Sequence, residues 1–347
     1  NVASSNTSEG TVSPSTLNFT KDNWYTAQTV TVTGVDDNNS DGHKKYQVSL
    51  STFDNGTGSG QSTVATQPPL QNTGSSYNAT SNKYVVSTLG HLSYIAQNSS
   101  IWSRNFIQTA NIDATVTKYW DDADDTGGVT GDKYNDDNDA TSTGNNEGFL
   151  PLSYFTGEYD GAGYSINNLT INRPTSNQNV GLFGTTQGAT IRNLSVTNDN
   201  ITGYQKVGSL VGLTYSTIID NCSASGSVVS TKPYLVGGLV GYTFTGSSIR
   251  NSYSTASVDG GNGQFVGGLV GFAYSTTILN SYSTGRVVAT ASIRGGLLGT
   301  NSGGTITDSF YDATTAEQAD NTGKGTPKTT AQMKTLATFT DTATTGL

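Results

Sequence analysis

Eight aspartates crowd the stretch 121–139: Asp121, Asp122, Asp124, Asp125, Asp132, Asp136, Asp137 and Asp139. Carboxylates this close repel one another unless a hard cation neutralises them, and Ca²⁺ prefers flexible oxygen cages of this kind. The spacing lacks the full EF-hand pattern, so a structural Ca²⁺ site and a solvated acidic loop are both open readings. A second group, Asp36, Asp37 and Asp41, lies in Asp36-Asp-Asn-Asn-Ser-Asp-Gly42. Calcium at a strand end or module junction competes there with an ordinary polar turn.

Catalytic chemistry finds little support. A glycan-cleaving site needs paired carboxylates, or a carboxylate–calcium–basic cluster, on one face. Asp199, Asp220, Asp259 and Asp308 form no regular row. Arg192 and Arg250 fall at equivalent places, with Asp220 and Leu279 at the others, as on a solvated face. His43 and His91 have no metal-ligand spacing, and two histidines offer few bases for a Ser/His/Asp arrangement. Cys222 is expected to be a small packed residue.

Aromatic residues are the other candidates. Tyr215, Tyr242, Phe272 and Tyr274 recur at similar places, where an exposed strip would hold a sugar ring or a protein partner. Tyr253, Tyr282 and Phe310 form another series, expected to stack in the interior.

Elements that would carry these residues must be strands. Only 12% of the 347 residues are charged, while 42 are Gly and 18 are Tyr. The polar bulk is Ser, Thr, Asn and Gly. Thr, Val and Tyr favour pleated surfaces, and Gly and Asn favour tight turns, which predicts an all-β chain of short strands. A net charge of −9 with no basic run argues against nucleic acid and anionic membrane surfaces. No apolar run approaches the roughly 18 residues of a membrane span, so no membrane insertion is expected. A lone cysteine rules out a disulfide framework. The composition suits a secreted bacterial surface protein, with this chain a mature piece of something longer.

The glycines reveal a repeat. Val180-Gly-Leu-Phe-Gly184, Val207-Gly-Ser-Leu-Val-Gly212, Val236-Gly-Gly-Leu-Val-Gly241, Val266-Gly-Gly-Leu-Val-Gly271 and Arg294-Gly-Gly-Leu-Leu-Gly299 end 28, 29, 30 and 28 residues apart. The isoleucines at 191, 219, 249, 278 and 306 keep the same step, each two residues before Asn193, Asn221, Asn251, Asn280 or Asp308. Each unit holds about three strands that cannot bury their apolar side alone. Stacked units pairing in parallel solve this, which predicts a parallel, right-handed β-solenoid. The repeated Leu and Ile then fill the interior, the glycines turn corners, and the asparagines form an amide ladder. Six coils at about 4.8 Å spacing give a rod roughly 30 Å long.

The Gly-Gly-Leu-Val-Gly core followed by Ile-x-Asn-Ser-Tyr-Ser-Thr-Gly resembles the GLUG repeat of bacterial surface adhesins, found also in non-catalytic parts of immunoglobulin A peptidases. Phe106-Ile-Gln-Thr-Ala-Asn-Ile-Asp113 and Phe155-Thr-Gly-Glu-Tyr-Asp-Gly161 resemble the approach to such repeats. Glu158 and Asp160 are then structural. Ser309-Phe-Tyr-Asp312 and Thr329-Thr-Ala-Gln-Met-Lys334 resemble their ending. The similarity covers about residues 84–340. It implies an extracellular adhesin-like solenoid and brings no catalytic residues.

Residues 1–68 differ. Thr16-Leu-Asn-Phe-Thr20, Thr29-Val-Thr-Val-Thr33 and Tyr46-Gln-Val-Ser-Leu50 alternate as half-buried strands do. With Thr31-Val-Thr-Gly-Val-Asp-Asp37, they resemble part of the immunoglobulin-like extender modules of giant bacterial adhesins. Such modules hold about seven strands, and only about four are visible. Three readings are open: the chain start cuts a module, a strand from another copy completes it, or a small sandwich closes on itself.

The expected organisation is a partial immunoglobulin-like β-sandwich at 1–68, a linker at 69–76, and irregular first coils with a cap and the acidic loop at 77–150. The solenoid follows at 151–314, with a tail at 315–347. Short helices are expected at 89–97 and 330–336. The expected function is a non-enzymatic adhesin or stalk at the bacterial cell surface, meeting a glycan or protein surface. The alternatives are a filament subunit joined to its own copies by strand donation and, third, a glycan-active β-helix enzyme.

Overall fold

The structure is a computed structural model, described for residues 2–5, 7–8, 10–17, 28–35, 48–50, 77–78, 83–120, 147–175, 179–232, 234–262, 264–290, 293–318 and 324–340. The chain divides into two compact units, Asn1–Pro69 and Leu70–Leu347.

In the first unit Val2–Ser4 pairs antiparallel with Val48–Leu50, and Gly10–Ser13 pairs antiparallel with Thr31–Gly34. Thr16 and Leu17, expected in a strand, are not in one, and the rest of that run lies outside the described residues. All four residues of Thr31–Gly34 are exposed, so this strand buries neither face.

The second unit is the solenoid. Successive repeats stack their strands into four parallel ladders. One corner ladder runs Lys206–Val207, Leu235–Gly237, Phe265–Gly267 and Arg294–Gly295. The adjoining five-stranded sheet runs Phe183–Gln187, Val211–Tyr215, Val240–Phe244, Val270–Tyr274 and Leu298–Ser302. A third face carries the repeated isoleucines, and a fourth begins each time after the asparagine turn. The register is regular: Ile191, Ile219, Ile249, Ile278 and Ile306 face one another in successive coils.

The repeated apolar residues form the core as the periodicity requires. Leu182, Leu210, Leu239, Leu269 and Leu297 are fully buried, as are the first four repeat isoleucines; Ile306 in the last coil is only partly covered. Gly237 shows why the corner takes no side chain, since a Cβ there would fall 2.1 Å from the Val240 carbonyl oxygen. The N-terminal end of the core is aromatic, with Phe106, Phe155, Phe183 and Tyr159 in mutual contact.

Every turn asparagine adopts positive φ: Asn193, Asn221, Asn251 and Asn280 lie between 50° and 53°, and Asp308 at 47°. Asn tolerates this left-handed region better than most residues, which accounts for the repeat position. The expected amide ladder exists with one break. Asn221 donates to Asn193 Oδ1 (2.9 Å) and Asn280 to Asn251 Oδ1 (3.3 Å), but Asn251 donates to Asp220 Oδ1 (2.9 Å) instead of Asn221.

One expectation is overturned. Tyr253, Tyr282 and Phe310 are in register on the outer side of the strands, where Phe310 is nonetheless buried against Phe339. Strand alternation turns Ser254, Ser283 and Tyr311 inward, where they are buried. Tyr253 and Tyr282 stack 4.9 Å apart with planes 2° from parallel, and Tyr253 is 37% exposed.

The preceding segment extends the solenoid. Lys83–Val86 and Phe106–Gln108 join the isoleucine face in parallel, giving it eight parallel strands up to Thr305–Thr307. Between them lies the helix Leu89–Gln97, capped by Thr88, whose hydroxyl accepts from His91 N–H. Near the other end, Thr326–Lys328 pairs with Phe310–Asp312, and the short helix Thr330–Met333 starts with a Thr329/Gln332 capping box. No helix among the described residues is long and apolar enough to cross a membrane.

Candidate binding face

The five-stranded sheet creates a continuous aromatic surface. Alternation in Val211–Tyr215, Val240–Phe244 and Val270–Tyr274 turns Thr214, Thr243 and Ala273 inward, where they are fully buried. The residues on either side face outward. Leu213, Tyr242, Phe272 and Thr300 form one outer column by register. Tyr215 faces Phe244, and Tyr274 faces Ser302, along a second column.

Beneath this surface the strands are pinned. Thr214 Oγ1 donates to Ser247 Oγ (3.0 Å), and Thr217 Oγ1 donates to the Tyr215 carbonyl (2.9 Å) with Thr186 Oγ1 also 2.9 Å away. Buried hydroxyls satisfied in this way fix the strand positions and hence the rings above them.

The rings touch along and across the columns. Tyr242 stacks on Phe272 at 5.1 Å and 13°, and Phe244 stacks on Tyr274 at 5.0 Å and 15°. Tyr215 meets Phe244 at 5.4 Å, and Tyr242 meets Phe244 edge-on at 5.8 Å. Phe265, from the corner ladder, stacks on Phe272 at 5.1 Å. Tyr215 and Tyr274 are the most open members, at 37% and 38% exposed. Burial raises the Tyr242 hydroxyl above its ordinary pKa, helped by the Tyr215 and Tyr274 hydroxyls nearby.

The structure thus brings Tyr215, Tyr242, Phe272 and Tyr274 onto one face. It adds Phe244 and Phe265, which the sequence reading missed. Phe244 was findable, being two residues from Tyr242 and so on the same side of the strand. Phe265 was not, because it arrives from another ladder across a corner.

The acidic candidates Asp121, Asp122, Asp124, Asp125, Asp132, Asp136, Asp137, Asp139, Asp36, Asp37 and Asp41 lie outside the described residues, as does His43. Among the described residues, no three His, Cys, Asp or Glu side chains are grouped so as to hold a metal ion.

A charged cluster occupies the isoleucine face. Lys83 Nζ lies 2.9 Å from Glu158 Oε1 and 3.3 Å from Asp160 Oδ2, and an Arg192 nitrogen lies 2.7 Å and 3.0 Å from the same two oxygens. Burial alone would raise Asp160, but the Asn193 amide, the Ala162 N–H, Arg192 and Lys83 outweigh it and hold the carboxyl below its ordinary pKa. The ladder continues Asp160, Arg192, Asp220, Arg250, alternating in sign, with Arg250 Nε 3.2 Å from Asp220 Oδ2. Both carboxylates of the pair are tied to cations, an arrangement suited to joining coils.

Other reactive groups are similarly occupied. Cys222 is buried, and its thiol is pushed up to about 12, chiefly by burial. His91 Nδ1 accepts the Ser87 N–H at 3.2 Å, with Ser87 Oγ at 3.4 Å, and burial lowers the imidazole. This local turn spends on the backbone the nitrogen that faces the serine.

Asp199 is the exception. It is 3% exposed, and neither carboxylate oxygen has a partner of ordinary hydrogen-bond geometry. The facing residue in the next coil is Gly226, where a Cβ would approach Asp199 Oδ1 to 2.6 Å. Burial pushes Asp199 well above the carboxylate range, against smaller opposing effects of the Ser209 hydroxyl and Ser227 N–H.

Comparison with known proteins agrees with the repeat. Residues 203–229, 233–259 and 262–288 match the model of the GLUG motif. The chain is 32% identical over 180 residues to halomucin of Haloquadratum walsbyi, covering 51% of this chain and 2% of that protein. It is 42% identical over 101 residues to a protein described as a Gly-rich membrane protein of Evansella cellulosilytica, covering 27% of this chain and 12% of that one. The chain therefore spans only a small part of either relative. A crystal structure of a candidate immunoglobulin A1 protease from Bacteroides ovatus superimposes with a TM-score of 0.50 over 67% of each chain, at 20% identity, a likeness of fold alone. The chain carries GLUG repeats, each built as one coil of a parallel β-solenoid.

Proposed function

We propose that this chain is part of a non-enzymatic, extracellular cell-surface protein whose solenoid adheres through its aromatic face. The observation that carries the reading is the six-ring surface of Tyr215, Tyr242, Phe244, Phe265, Phe272 and Tyr274, held on a rigid sheet. Exposed aromatic surface of this kind is costly in water unless it meets a partner. The names of the relatives, halomucin and a Gly-rich membrane protein, are in keeping with a surface location. Ladder hydrogen bonds keep the face rigid, and Ca²⁺ bound at 121–139 and at Asp36, Asp37 and Asp41 would stiffen the acidic segments.

Beads coated with the chain test this on surfaces bearing polysaccharide or extracellular protein. Retention of wild-type beads, lost with Tyr242→Ala/Phe244→Ala/Phe272→Ala, is the expected result. Equal retention of the triple variant would remove the aromatic face from the account.

One observation favours a second reading, a filament joined by strand donation. Thr31–Gly34 is exposed at every residue, with Val32 at 48%, and its described strand partner is Gly10–Ser13 alone. Such an edge can accept another strand. Light scattering with negative-stain microscopy separates the two. Open-ended polymers lost in Val30→Pro/Val32→Pro support strand donation, and a 36 kDa monomer would contradict it.

A further inference from the structure

The aromatic columns end abruptly, and the point where they end has the geometry of a binding site. Along the second column the rings of Phe244 and Tyr274 stack in successive coils, 5.0 Å apart and 15° from parallel. The next position in register is Ser302. In the first column Phe272 is followed, in the same coil, by Thr300. The sheet ends with that strand, Leu298–Ser302. Two neighbouring ring positions are thus replaced together by small hydroxyl residues.

The result is a step one coil deep, about 4.8 Å. Its wall is the face of the Tyr274 ring turned away from Phe244, and its floor carries the hydroxyls of Ser302 and Thr300. Phe272 stacks on both Tyr242 and Phe265, whereas Tyr274 stacks on Phe244 alone among the described residues. Tyr274 is 38% exposed, and Thr300 and Ser302 are half-buried. Asn301 between them is committed to the adjoining turn, donating to the Gly304 carbonyl and accepting the Gly304 N–H.

We propose that this step is a subsite for one neutral pyranose ring of a glycan, stacked on Tyr274 in the layer where Ser302 takes the register position and no ring follows among the described residues. The apolar C–H face of a pyranose packs against an aromatic face as another ring does, and its rim hydroxyls need hydrogen-bonding neighbours. Ser302 and Thr300 supply those on the floor. None of the residues forming the step is charged, which matches a neutral sugar and offers an acidic one no counter-charge. A nucleobase would bring phosphate toward a chain of net charge −9. A flat protein surface would bridge a one-coil step without filling it.

This proposal rests on the aromatic face being the adhesive surface, and two variants separate its failure from that of the broader reading. Ser302→Tyr places a ring of the chain's own in that layer, and Tyr274→Leu removes the stacking face while keeping an apolar side chain. The probes are neutral gluco-, manno- and galacto-oligosaccharides with hyaluronan fragments as the acidic control, followed by saturation-transfer NMR and calorimetry. Circular dichroism and melting confirm the fold of each variant. Binding of at least one neutral probe, weakened about tenfold or more in both variants, is expected. Neutral-probe binding unchanged by Ser302→Tyr, binding of hyaluronan alone, or no binding at millimolar concentration would overturn the subsite. Bead retention that survives Ser302→Tyr but not the triple aromatic variant would also overturn it, while leaving adhesion through a protein partner standing.

Discussion

Phe244 stands edge-on to Tyr242, 5.8 Å away with planes at 85°, and this contact joins the two outer columns of the solenoid. Phe244 also touches Tyr215 and Tyr274, so it is the hub of the face. Phe244→Ala should therefore separate the columns and free the neighbouring rings. Three aromatic pairs are lost, each worth about 0.5–1.5 kcal/mol, so chemical denaturation should show a loss of about 1.5–4.5 kcal/mol. Tyr242→Phe, which keeps the ring, should show almost none.

The asparagine turns give a prediction of a different kind. Asn221 combines φ of 53° with a 2.9 Å bond to Asn193 Oδ1. Asn221→Ala loses the bond and strains the backbone, at about 1–2 kcal/mol each. Asn221→Gly relieves the strain, so urea unfolding should place it between wild type and the alanine variant.

Asp160 and Asp199 should respond to pH with opposite sign. Asp160 is held below its ordinary pKa, because its hydrogen bonds and cations outweigh burial. Its contribution is present above the unfolded value and lost as pH falls through the folded one. Asp199 is raised by burial, so the unfolded chain loses a proton that the folded chain keeps. Stability then falls as pH rises from the ordinary carboxylate range toward the raised value. Asp199→Asn should remove that decline, flattening the melting temperature as pH rises above the ordinary carboxylate range. A slope equal to that of wild type would assign the decline to other groups.

Calcium is tested by melting with Ca²⁺ and with chelator. A higher melting temperature with Ca²⁺, lost when Asp121, Asp122, Asp124 and Asp125 become Asn, is expected. Equal melts would leave 121–139 as a solvated acidic loop.

Much of the solenoid was legible because its signal repeats. One leucine or isoleucine says little, but five of each at a common step determine the core, and asparagine at each turn follows from positive φ. The orientation of short strands was less legible. In Tyr253-Ser254 and Tyr282-Ser283 hydrophobicity favours the aromatic residue inward, yet Ser254 and Ser283 are buried and the tyrosines face out. With two-residue strands there is no alternation to read, and the small serines suit the narrow interior beside the glycine corner: a Cβ at Gly238 would meet Ser254 Oγ at 2.2 Å. The ion ladder was half visible, since Arg192, Asp220 and Arg250 were aligned by the repeat. Lys83 joins it from a strand outside the repeat, 75 residues from Glu158.

The central claim, that the chain adheres through the face built on Val211–Tyr215, Val240–Phe244 and Val270–Tyr274, is tested most directly by residue-resolved tyrosine footprinting. The chain is labelled free and while bound to a surface that retains it. Tyr215, Tyr242 and Tyr274 should be protected on binding, with Tyr164 and Tyr253 on other faces labelled as before. Protection of Tyr253 or Tyr164 with Tyr215 and Tyr274 unchanged would contradict it.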